Sequence, residues 1–60
     1  MKLVIPESIK SLTCKEVMDN HFRVFDFETR CQLHHFGMRS IISVWDQLSA
    51  AVRCEVIAHV

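Results

Sequence analysis

Sixty residues carry seven Lys and Arg against seven Asp and Glu, with four His, so the formal net charge is zero. Half of the residues are hydrophobic, and there is one Gly and one Pro. These figures exclude a second domain, a Rossmann unit, a TIM barrel or a kinase lobe, the basic footprint of a nucleic-acid or anionic-membrane binder, and a disordered or many-turned β chain.

A chain this short buries only about 60% of its unfolded surface, so a lone core is marginal. Small domains usually add disulfides, a metal or oligomerisation. With a positive mean hydropathy of +0.18, the apolar surplus predicts self-association or a protein partner. Cys14, Cys31 and Cys54 are odd in number and cannot all pair, which argues against a disulfide scaffold. The opening apolar run is too short for a signal peptide, and no stretch nears the roughly 18 apolar residues that span a bilayer. The expectation is a reduced, soluble, cytoplasmic protein.

Residues 1–5 read as an arm, with Leu3-Val4-Ile5 either a brief edge strand or a packing segment. Pro6 suits the first turn of a helix and Glu7 its amino end, which predicts a short helix over 6–12. Thr13 and Glu16 spell a capping box, with Leu12 and Val17 placed for a hydrophobic staple. After that cap, Cys14, Val17, Met18, His21, Phe22 and Phe25 share one helical face. A helix is predicted over 13–25, with Phe22 and Phe25 in the core.

Asp26 can cap a further helix to Phe36, and Gly37 can end it. On it Phe27, Cys31 and His34 share one face while Leu33 and Phe36 point away, which suits a helix central to a bundle or wedged in an interface. A strand through 22–27 is the competing reading, because that run partly alternates. In the final segment, 40–58, Ile41, Trp45, Leu48, Val52 and Val56 repeat at steps of 4, 3, 4 and 4. That is one helix capped by Ser40, or two broken near 48–49 with Ser49 starting the second. Under a single straight helix Ile57 lies on the far face. The predicted fold is all-α, a bundle of three to five helices completed by self-association or a partner.

Chemistry is thin. Cys31, His34 and His35 form C-x-x-H-H, to which Cys14 or His21 could add a ligand, but zinc sites usually offer two short pairs and only one is present. No phosphate loop, G-x-S-x-G or H-E-x-x-H occurs. No cofactor, metal site or catalytic residue is assigned.

The stretch Lys15 to Val24 resembles the first helix and turn of the helix-turn-helix family, although Arg23 stands where that family commonly has Gly. The resemblance implies a recognition helix over Phe27–Phe36, offering Arg30, Gln32, His34 and His35 to DNA. Against it, Asp26 and Glu28 sit where a phosphate would approach, and the basic residues are scattered.

The favoured expectation is a non-enzymatic protein that lays an apolar helical face on another protein. Trp45 is the anchor, surrounded by Phe36, Ile41, Leu48, Val52, Val56 and Ile57. A tiny, neutral, Cys- and His-containing helical chain of this kind resembles the small regulators of enterobacterial phages and prophages, antirepressors among them. The stretch Met38-Arg39-Ser40-Ile41-Ile42-Ser43-Val44-Trp45-Asp46-Gln47-Leu48 looks like the helix such proteins present. The resemblance implies a DNA-binding repressor as partner, inactivated by steric occlusion without direct contact to nucleic acid.

Overall fold

The start of a helix leaves backbone N–H groups without intrahelical partners, and burying that start requires partners from elsewhere. In this protein, described over residues 3–60 by a computed structural model, the first helix meets that demand from two directions. Helix α1 spans Cys14–Asn20. The Thr13 hydroxyl accepts from the Glu16 N–H at 3.1 Å, and the Glu16 carboxylate accepts from the Thr13 N–H at 3.0 Å. The N–H groups of Cys14 and Lys15 donate to the carbonyls of Arg39 and Gly37, at 2.8 and 2.9 Å. The capping box therefore forms, and the loop after the second helix closes over what it leaves.

That loop is shaped by the end of helix α2, Phe27–Phe36. Asp26 caps its start by accepting from the Thr29 N–H at 2.9 Å. This bond and the Thr29 hydroxyl hold the exposed Asp26 carboxyl below its ordinary pKa. Gly37 ends the helix at φ 58°, its N–H donating to Leu33 O. An added Cβ would meet nothing nearer than 3.7 Å, so the backbone angle, not space, favours glycine there.

Helix α3, Ile41–Val44, follows at once, with the Ile41 N–H donating to Leu12 O at 2.9 Å beside an isolated antiparallel bridge between Thr13 and Ser40. A single 3-10 turn, Trp45–Gln47, leads to helix α4, Ala50–His59. The fold is all-α, and no strand occurs among the described residues. The core comprises Ile9, Cys14, Val17, Met18, Phe25, Leu33, Ile41, Val44, Trp45, Leu48, Val52 and Val56. Thr29 is buried with them, and the indole N–H of Trp45 donates to Leu3 O at 3.0 Å.

Four expectations change. The opening helix over 6–12 contracts to a 3-10 turn, Glu7–Ile9, with Pro6 extended ahead of it at ψ 139°. The helix over 13–25 stops at Asn20, where Asp, Asn and His, all poor helix formers, come together. His21 then leaves helical geometry, and its carbonyl accepts from both Val24 and Phe25. That turn carries Phe25 into the core and leaves Phe22 half exposed, so only one of the two phenylalanines expected inside is there. The final segment is broken, as its second reading allowed, and the new start of α4 brings Ile57 against the core rather than to a far face. Met1 and Lys2 of the arm lie outside the described residues; Ile5 packs on the core.

Because the α1 start is closed by Thr13 as well as by the loop, Thr13→Ala is expected to cost about 1 kcal/mol. Gly37→Ala is expected to cost on the order of 1–3 kcal/mol through its positive φ. Urea titrations of both variants, followed by circular dichroism, check these values.

Candidate functional site

The stripe expected to face a partner is the interior. Ile41, Val52 and Val56 are fully buried, and Trp45 and Leu48 are 5% and 2% exposed. Phe36 and Ile57 are half-buried and packed against the same core. A sixty-residue chain has few large apolar residues, and α1 and α2 use this stripe to cover their own. Spacing alone could not distinguish a core stripe from an interface stripe, since both need the same periodicity.

The large apolar side chains left in solvent lie elsewhere. Phe22 and Val24 are 50% and 51% exposed in the turn between α1 and α2, and Phe27, the first residue of α2, is 76% exposed. The guanidinium of Arg30 lies 4.5 Å from the centre of the Phe22 ring, a cation–π contact that holds the ring in one orientation. Phe27 and Arg30 are three residues apart on α2 and so share a helical face. Phe22 and Val24 also line an open cleft of about 370 Å³ with Asp19, Asn20, His21, Arg23 and His59. Beneath it, the buried Phe25 ring lies between those of His21 and His59, with centroids 5.5 and 6.4 Å away.

The two apolar sides of α2 suited a helix central to a bundle or wedged in an interface, yet Phe27, Cys31 and His34 are all exposed and only the side of Leu33 and Phe36 packs inward. Phe22 was hidden because its position fits the α1 stripe until the helix ends early. Elsewhere Val4, Met38 and Ile42 are exposed singly in the arm, the loop after α2 and α3, a common condition on protein surfaces.

The residues considered for DNA are otherwise engaged or poorly matched. Arg30 is half-buried over Phe22, and Gln32 turns inward to Ser49, donating to its hydroxyl and accepting from its N–H. His34 and His35 remain exposed, and Asp26 and Glu28 stand at the amino end of α2. For metal, Cys14 is fully buried, and no three His, Cys, Asp or Glu gather to hold an ion among the described residues. A second open cleft, of about 380 Å³, lies between α2 and the start of α4, lined by Cys31, Gln32, His35, Phe36, Gln47 and Ser49.

No helix among the described residues is long and apolar enough to cross a membrane. No protein-family model matches the chain, and comparisons with curated proteins and with solved structures return no match.

The three thiols differ sharply in setting. Burial pushes the Cys14 thiol above its usual pKa, partly offset by a backbone hydrogen bond, whereas Cys31 and Cys54 are free and exposed. A maleimide at neutral pH is expected to modify two thiols quickly in the native protein and the third only on denaturation, as read by intact mass. Fast modification of Cys14 under native conditions would contradict the described core.

Proposed function

We propose that this chain is a non-enzymatic regulatory protein that acts by binding another protein through Phe22, Val24 and Phe27. The observation that carries the reading is the exposure of two phenylalanines and a valine along six residues of sequence, whereas the other exposed large apolar side chains, Val4, Met38 and Ile42, stand singly and include no aromatic ring. Aromatic side chains in such a position supply most of the energy at protein interfaces. The Arg30 contact lowers the entropy lost when Phe22 is immobilised, because the ring is already held.

A zero net charge suits a protein partner better than a polyanion. In the more specific form suggested by the resemblance to phage and prophage antirepressors, the partner is a DNA-binding repressor. The mechanism is then steric: the patch covers the surface with which the repressor reads DNA or pairs with itself. The binding face belongs to the α1–α2 turn and not to the Trp45 stripe.

Two substitutions separate these faces. Phe27→Asp is expected to leave the helical circular-dichroism signal intact and to remove partner binding by about 2 kcal/mol or more. Trp45→Ala is expected to destabilise the fold itself by about 3–5 kcal/mol. The partner is sought by affinity capture with wild type and Phe27→Asp side by side, counting only proteins retained by the first and lost by the second. Equal capture by both would overturn the patch. Binding of a DNA duplex by the chain alone, falling steeply with salt, would replace the proposal with the DNA-binding reading.

A further inference from the structure

The break between α3 and α4 buries Leu48 in the core, but few hydrogen bonds fix its backbone. From Ile41 to His59 the chain contains no Gly and no Pro, and its apolar stripe runs through the break without losing step. Leu48 and Ser49 are the residues there with extended backbone, at ψ 146° and 156°. In an uninterrupted helix the Ser49 N–H would donate to the Trp45 carbonyl four residues back. Here the side-chain carbonyl of Gln32 takes that N–H at 3.1 Å. The Gln32 amide also donates to the Ser49 hydroxyl at 3.3 Å, and that hydroxyl accepts from Val52 N–H at 3.2 Å. One side chain on α2 therefore occupies the donor that would close the gap.

We propose that Leu48–Ser49 is a hinge latched by Gln32, and that its release straightens 41–59 into one helix whose second half packs into another copy of this chain. With α3 held in place, turning these two extended residues helical redirects α4 from its present course, along a straight helix about 28 Å long at 1.5 Å per residue. Val52 and Val56 then leave the site they filled. A second copy opened the same way supplies an identical segment for that site, which is domain exchange. The contacts of Val52 and Val56, and the hydrogen bond from the Asp26 N–H to the Glu55 carboxylate, re-form between copies. The Gln32–Ser49 contacts, the Ser49 cap and the turn bond from Leu48 N–H to Trp45 O are given up, and backbone helix bonds across the hinge replace them. The occupant is a second copy because the vacated site is shaped by this chain's own α4. The inference rests on the hinge alone and is independent of the Phe27 patch.

Ala50→Pro is the decisive variant. Residue 50 is the first of α4, where proline is well tolerated, and Ser49 already has the extended backbone that a residue before proline prefers. In a continuous helix the same proline sits mid-helix, lacking its N–H and clashing with the preceding turn. Wild type, Gln32→Ala and Ala50→Pro are refolded over a range of protein concentrations and sized by chromatography with light scattering. Wild type is expected to yield a dimer share that grows with concentration. Gln32→Ala is expected to raise the dimerisation constant at least about 25-fold, about fivefold in each of the two copies even if only one of its two hydrogen bonds counts. Ala50→Pro is expected to stay monomeric with an unchanged helical signal. Equal dimerisation of wild type and Ala50→Pro would overturn the hinge in favour of a side-by-side dimer, and a monomeric wild type throughout would overturn it outright. The wild type to Ala50→Pro comparison decides the matter even where Gln32→Ala does not fold.

Discussion

The fold depends on how the amino end of α1 is closed. Its first-turn donors find partners in Thr13 and in the carbonyls of Gly37 and Arg39, so the loop leaving α2 is clamped onto the segment entering α1. This contact needs the backbone of Gly37 at positive φ, and it delivers Ile41 beside Leu12. It thereby sets where the chain enters α3. In so small a body the hydrogen bonds contribute by fixing which residues the apolar core gathers, since each buried donor must be satisfied at one place only.

Local chemistry made some of these elements legible in the sequence. The Thr13–Glu16 box, the Asp26 cap and Gly37 each act over three or four residues, so residue identity nearly determines the result. Phe22 and the run from Ile41 to Ile57 were harder for the same reason. Whether α1 reaches residue 25 depends on the weak propensities of Asp19, Asn20 and His21 against the burial gained by Phe25, a contest decided by tertiary packing. Whether 41–59 is one helix or two depends on Gln32, seventeen residues upstream of Ser49, which no periodicity can register. The candidate site was obscured by the mirror image of this problem. A stripe of large apolar residues has one appearance in sequence whether its cover is intramolecular or supplied by another molecule.

The apolar residues of the protein fall into two groups. The carboxy-terminal third, from Ile41 onward, closes the core, with α4 tied to α2 near its start by Ser49 and farther along by Glu55. The turn between α1 and α2 leaves Phe22, Val24 and Phe27 outside. A binding role placed on that turn is compatible with stability, because these side chains can be changed without opening the core. The cost of keeping them exposed is small for a folded monomer and grows with concentration.

The indole hydrogen bond to Leu3 joins groups 42 residues apart along the chain. A tie across so long a loop carries more closure entropy than the caps, which span three residues. The arm it fastens is otherwise held by the packing of Ile5, so lifting the arm is a smaller opening than unfolding the bundle. Since Trp45 is the single tryptophan, its emission changes when the arm lifts and water reaches the indole N–H. The protein thus carries a built-in optical reporter of that opening.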